Sequence, residues 1–194
     1  MTLRFEISTG ADIRRLIPDL AALRVSVFRA WPYLYDGDAA YEADYLSKYA
    51  EGEAIVVAAY AGNQVVGAAT GMPLVQADAA ISTAVAAHMA NPHAVFYCAE
   101  SVLLPAHRGQ GAGDAFFSRR EAHARRIGCQ DSVFAAVQRP GDHPARPVDY
   151  RPLDRFWDRH GYRPIPGVTV GLSWRDVGSD AETEKRLQIW HKAL

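Results

Sequence analysis

Leu3, Phe5 and Ile7 alternate with polar residues, the period-two pattern of a short strand with one face turned inward. Cap and turn chemistry follows over residues 8–11, and Ile13, Leu16, Ile17, Leu20, Leu23, Val27 and Phe28 then recur at helical spacing. Pro18 interrupts that stripe, where it would cost roughly 3 kcal/mol in a continuous helix, so the pattern predicts a break with Pro18 in the first turn of a second segment ending near Ala30. WPYLYDGD, residues 31–38, reads as an aromatic and acidic connection, followed by a second helix through Tyr41, Tyr45, Leu46 and Tyr49 to Gly52. Ile55, Val56, Val57 and Val65, Val66 flank Gly62 and Asn63, which predicts a hairpin. The alanine-rich residues 74–89 have helical character. VFYCAESVLL, residues 95–104, is a continuous apolar run of the kind buried on both faces of a sheet, and it is expected to be the central strand. After HRGQGAG, a helix is expected over about residues 111–127 with Gly128 as its stop, and VFAAVQ, residues 133–138, makes the next strand, parallel to the last through a right-handed crossover. Residues 139–150, RPGDHPARPVDY, form a long proline-rich loop of the kind that builds sites. A short helix in LDRFWDRHG, a strand over residues 168–174 and a polar-then-apolar helix over about residues 181–193 complete the pattern.

At 194 residues, 49% hydrophobic and 22% charged, the chain has the composition of one globular domain with a substantial core. The expected organisation is a domain over residues 1–175 with a helical extension over residues 176–194. An apolar face made by Leu187, Ile189, Trp190 and Leu194 would let that extension pack on its own domain or on a second copy in a homodimer. Twenty-one Lys plus Arg against 22 Asp plus Glu leave a net charge of -1, which argues against nucleic acid or an anionic membrane as partner. The longest apolar run, residues 54–61, is too short to span a membrane, and MTLRFEIS has no signal-peptide pattern, so a cytoplasmic protein is expected. Cys98 and Cys129 have no CxxC partner or nearby His pair, which supports neither a disulfide framework nor a metal site.

The most informative segment is SVLLPAHRGQGAGDAFF, residues 101–117, in which Gly109, Gly111 and Gly113 fall between a buried strand and a helix start. Glycine there lets backbone approach a ligand closely, and the free N–H groups and dipole of a helix N-terminus favour an anion such as a pyrophosphate. A P-loop would need Gly-Lys-Ser or Gly-Lys-Thr, and a dinucleotide fingerprint from Gly109 would need glycine where Asp114 stands, which counts against a nicotinamide-dependent oxidoreductase.

Arg108, Gly111 and Gly113 resemble the Arg/Gln-x-x-Gly-x-Gly/Ala turn of the GNAT superfamily of acyl-CoA-dependent N-acyltransferases. Val102-Leu103-Leu104-Pro105 is similar to that family's strand ending in proline, and FWDRHGY, residues 156–162, to its later aromatic-x-x-x-Gly-aromatic segment. The resemblance implies a single-domain α/β (α+β) fold, its mixed central sheet splayed at the acyl-CoA site and flanked by helices on both faces. It implies acetyl-CoA as cosubstrate, with no metal. The main chain of Val102 and Leu104, with Leu103 between them, would bond the pantetheine amides by strand addition, and Arg108, Gly109, Gln110, Gly111, Ala112 and Gly113 would hold the pyrophosphate.

Transfer from a thioester needs a neutral amine, and an alkylammonium of pKa about 10.4 is only about one part in a few thousand deprotonated at pH 7. Glu100, a carboxylate in an apolar strand, is the candidate base, its pKa expected to rise with burial; the alternative is a Glu paired with Arg or Lys. The family often places a tyrosine acid where Trp157 stands here, so Tyr150 is the candidate acid, with Tyr162, water or no acid as alternatives. Cys98 reads as a core residue rather than a nucleophile, which favours direct attack by the amine. The resemblance also implies an acceptor pocket lined by the first connection and the late loop, here Tyr33, Tyr35, Asp36 and His143, whose aromatic faces and carboxylate suit a cationic amine. A small-molecule acceptor is expected; a peptide or protein acceptor, or a non-catalytic acyl-CoA-binding module, are the alternatives.

Overall fold

Pro18 lies in the first turn of α1 (Ile17–Phe28), and the preceding Gly10–Leu16 form a 3-10 turn, so the apolar stripe divides where the proline demands. The computed structural model describes residues 2–194. Its strands are β1 (Arg4–Thr9), β2 (Ile55–Ala61), β3 (Gln64–Pro73), β4 (Val95–Leu103), β5 (Asp131–Val137), β6 (Arg163–Arg175) and β7 (Glu182–Ala193). They form one mixed sheet in the order β1-β2-β3-β4-β5-β7-β6, in which only β4 and β5 run parallel. β4 occupies the centre, as its unbroken apolar run requires. The remaining helices are α2 (Ala39–Ser47), α3 (Ala79–Ala86), α4 (Ala112–Arg126) and α5 (Asp154–Arg159). α1 and α2 pack on one face through Leu20, Leu23, Phe28 and Leu46, with α3 beside them through Ile81 and Val85. α4 covers the opposite face through Phe116, Phe117 and Ala124, where Phe156 and Trp157 of α5 join it. No helix of the described residues is long and apolar enough to cross a membrane.

The end of the chain corrects the reading of the sequence. Residues 182–193 are a strand, not a helix, and they lie between β5 and β6 rather than outside the domain. Leu187, Trp190 and Leu194 fit a helical stripe, but Lys185, Leu187 and Ile189 are buried at period two, and the slot between two strands selects that register. Leu187, Ile189 and Trp190 are thereby buried in the core of their own domain.

Two irregularities at β4 shape the site. β4 and β5 pair only at Val95 with Asp131, Phe96 with Ser132 and Tyr97 with Val133; beyond that β5 pairs with β7 alone and the sheet opens. On its other edge β4 pairs Glu100 with Thr70 but Cys98 with Gly71, leaving Ala99 as an extra residue, a β-bulge. Period two would place Cys98, Glu100 and Val102 on one face. Across the bulge, Phe96 and Cys98 pack in the core under α4, while Val102 packs with α1 and Glu100 pairs with Arg24 of that helix. Arg120 of α4, fully buried and without a carboxylate partner among the described residues, braces the bulge by donating to the carbonyls of Thr70 (3.1 Å) and Glu100 (2.9 Å).

α4 is also tied to the loop before β2. The His123 ring stands 2.8 Å (Nε2) from the Glu53 carbonyl and 2.9 Å (Nδ1) from Arg126, so the neutral ring donates to the first and accepts from the second. Burial lowers the His123 pKa, with Arg126 adding to the effect. A depressed histidine contributes stability above its unfolded value of about 6.5 and loses it as pH falls toward the folded value. Denaturant titrations should therefore show stability falling below pH 6.5, with a shallower slope in His123→Gln; identical slopes would contradict this.

Candidate active site

The turn after β4 presents unpartnered donors. Gly109 (φ 76°) and Gly111 (φ 77°) adopt the left-handed conformation, and Gly111 is the N-cap of the 15-residue α4. Among the described residues, no backbone or side-chain acceptor meets the N–H groups of residues 109–114; the first helical bond runs from Ala115 to the Gly111 carbonyl, at 3.1 Å. A Cβ at Gly109 or Gly111 would meet nothing within 4 Å, so the space over the turn is open. Gly113 differs: a Cβ there would stand 2.7 Å from the Phe156 ring, so this glycine admits α5 against α4. The Asp114 carboxylate is held by His160 Nε2 at 2.9 Å. This donor-rich helix start fits a pyrophosphate.

Beside the turn, the opening between β4 and β5 leaves one edge of β4 unpaired. The Leu104 N–H donates to the Val66 carbonyl at 2.9 Å, so it is spent on β3. Strand alternation gives Val102 the same side and turns the main chain of Ser101 and Leu103 toward the opening. The main chain of Val102 and Leu104 thus faces β3, whereas that of Ser101 and Leu103 faces the opening.

Glu100 faces a cavity of about 250 Å³ between the sheet and α1, α2 and α3. Arg24 pairs with both Glu100 and Glu42, and all three side chains are nearly buried. Burial alone would lower the Arg24 pKa, but Glu42 together with Tyr45 and Tyr49 outweighs it and the value is raised. One guanidinium shared by two carboxylates leaves the cluster one negative charge in excess, and one oxygen (Oε1) of each carboxylate has no hydrogen-bond partner among the described residues. Glu100 is thus neither an isolated buried acid nor a simple ion pair.

The aromatic walls include Phe28, Tyr33, Tyr35, Tyr45, Tyr97 and Trp174. Burial raises the pKa values of Tyr33, Tyr35 and Tyr97, so their hydroxyls stay protonated. The Tyr33 ring packs at a tilt on Phe28, with centres 4.3 Å apart, and the Tyr33 carbonyl accepts from Trp174 Nε1 at 3.0 Å and Arg139 Nη2 at 2.6 Å. Arg139 also grips both oxygens of Asp176, at 2.8 and 2.9 Å, which ties the first connection to β6. Burial would push the Asp176 pKa up, but the bonds from Arg139 and Lys185 bring it down.

Of the acceptor residues expected from the sequence, Tyr33 and Tyr35 line this cavity. Asp36 does not: it joins Arg29 (2.7 Å) and Arg175 (3.2 Å) at the surface. His143 does not either; its Nδ1 accepts from the Ala145 N–H at 3.1 Å and its ring leans on Trp31. Tyr150 packs edge-on against Trp31 at 5.8 Å, outside the cavity lining, and burial raises its pKa. Tyr162 is fully buried with its hydroxyl 2.8 Å from Ser132, and Trp157 packs on Phe134 and Trp190. The sequence reading missed Arg24 and Glu42. Their signal was a charge within a buried stripe: Arg24 falls between Leu20 and Phe28 at four-residue spacing, and Glu42 stands four before Leu46. Among the described residues no group of three or more His, Cys, Asp or Glu side chains could hold a metal.

Residues 20–161 match the model of the acetyltransferase (GNAT) family. No curated protein matches the chain in sequence. Among solved structures, a ribosomal-protein-alanine N-acetyltransferase from Brucella melitensis is similar with a TM-score of 0.64 at 14% identity, over 98% of this chain and 99% of that one. A GCN5-related N-acetyltransferase from Kribbella flavida aligns with a TM-score of 0.59 at 18% identity, over 100% and 98%. The structure of yncA from Salmonella typhimurium with its cofactor acetyl-CoA aligns with a TM-score of 0.62 at 13% identity, over 100% and 95%. At these identities the likeness is one of fold.

Proposed function

This chain belongs to the acetyltransferase (GNAT) family and is an N-acetyltransferase using acetyl-CoA, and from that premise we propose that its acceptor is a small primary amine bound in the cavity at Glu100. The observation that carries the proposal is the buried Glu42–Arg24–Glu100 cluster, with one excess negative charge among aromatic rings beside the open edge of β4. The N–H groups of residues 109–114 would hold the pyrophosphate, and the main chain of Ser101 and Leu103 the pantetheine amides. When bound, acetyl-CoA supplies the activated acetyl group. The cluster attracts an ammonium and orients it through the unpartnered oxygens; Glu100 takes its proton, the neutral amine attacks the thioester carbonyl directly, and the C–S bond breaks to release CoA, whose thiolate takes up the second proton that the nitrogen sheds. The rings exclude water and face the cation. Tyr150 has no part in this proton path.

A cavity of about 250 Å³ favours a small acceptor over a peptide. Thiol release from acetyl-CoA, followed with small primary amines and with short peptides, tests the reading. Turnover above the amine-free rate is expected with small amines. Turnover restricted to peptides would overturn the small acceptor, and CoA binding without turnover on any amine would overturn transfer in this cavity.

A further inference from the structure

Within the same cavity, Lys48 is a cation without an anion. It sits in the 3-10 turn Lys48–Ala50 that continues α2, half-buried, with Nζ 3.7 Å from the centre of the Tyr45 ring and 5.8 Å from that of Tyr49. Among the described residues no carboxylate lies within ion-pair distance of it, whereas Arg24, on the same Tyr45 ring at 4.8 Å, has two. The remaining charged wall residue, Asp78, is occupied as the N-cap of α3, accepting from the Ala80 N–H at 2.9 Å. Beside the net negative Glu42–Arg24–Glu100 cluster, the cavity wall therefore carries a cation, Lys48, that no carboxylate of the described residues pairs, the capping Asp78 included. Tyr45 holds Lys48 in place but does not neutralise it.

We infer that the acceptor is a small amino carboxylate, its amine held at the Glu42–Arg24–Glu100 cluster and its carboxylate at Lys48. The inference rests on the reading of this cavity as the acceptor site and goes beyond it by naming the second group. Arg24 and Lys48 lie on the same Tyr45 ring, at 4.8 and 3.7 Å from its centre, so the place for a carboxylate adjoins the place for an amine. A simple alkylamine would leave Lys48 unmatched, and a diamine would be repelled by it.

The test measures thiol release with acceptor pairs differing only in the carboxylate: 5-aminopentanoate and butylamine, 6-aminohexanoate and pentylamine, phenylalanine and 2-phenylethylamine. In at least one pair the amino carboxylate should be favoured at least about tenfold in kcat/KM, the gain expected of a charge-assisted contact. Lys48→Met should erase that preference by raising KM for the carboxylate, and Lys48→Glu should turn it toward 1,5-diaminopentane. Calorimetry of the preferred amino carboxylate on the enzyme without acetyl-CoA gives a second readout, with weaker binding in Lys48→Met at unchanged Tm. Preference for the plain amine in every pair, or an equal loss for both members in Lys48→Met, would overturn the inference while leaving the transferase reading intact. No thiol release from any acceptor, with CoA still bound, would overturn both.

Discussion

Replacing Gly111 with glutamate should weaken acetyl-CoA binding by about a hundredfold or more. Gly111 is the left-handed N-cap of α4, at φ 77°, and a side chain there costs about 1–2 kcal/mol of backbone strain. Relief of that strain turns the N–H groups away from a common centre. The new carboxylate would project into open space over the turn, where the pyrophosphate is proposed to lie. One charge pair about 6 Å apart at an effective dielectric near 20 repels by about 3 kcal/mol, and about 2.7 kcal/mol is a hundredfold. Gly111→Ala carries the backbone cost without the charge and should lose less. Cys98→Ser should bind as the parent does, because Cys98 is buried under α4 with its sulfur 3.5 Å from Ser132. Calorimetric titration with CoA decides the matter, and an unchanged affinity in Gly111→Glu would remove the pyrophosphate from this turn.

That turn was legible in the sequence because its chemistry is local. Glycines that must adopt positive φ between a strand and a helix leave the same trace whatever packs around them, and the break at Pro18 is local in the same sense. The strand at the end of the chain was not legible, because Leu187, Ile189 and Trp190 satisfy both periods within so short a run. The slot between β5 and β6 decides between them, and it exists only once the other strands have assembled.

The acceptor cavity was legible by half. Tyr33 and Tyr35 come from the expected connection, but Asp36 is drawn outward by Arg29 at the end of α1 and by Arg175, whose proximity depends on the return of β6. The bulge at Ala99 has no local signature in VFYCAESVLL. It arises in the pairing of β4 with β3, and it turns Glu100 away from the face of Cys98 toward α1. Arg24 and Glu42 did stand out as charges within apolar stripes. Their meaning emerged only when three distant segments put two carboxylates on one guanidinium.

Glu100→Gln should lower kcat with a small primary amine by about a hundredfold to ten-thousandfold at pH 7, the range a positioned proton acceptor supplies. The substitution keeps the shape of the side chain and leaves Arg24 paired with Glu42, so the fold should persist, while the cluster loses its excess negative charge. Glu42→Gln removes the same charge but leaves Glu100 beside the open edge of β4, so its loss should be smaller. The deficit of Glu100→Gln should also shrink as pH rises. Below its pKa of about 10.4, an alkylamine gains about tenfold in its neutral fraction per pH unit, and that gain replaces the proton transfer the variant lacks. Parent and variant should therefore converge between about pH 7 and pH 9.5 when kcat is measured across that range. A variant within about threefold of the parent at pH 7, or a deficit independent of pH, would assign Glu100 to holding Arg24 rather than to taking the proton.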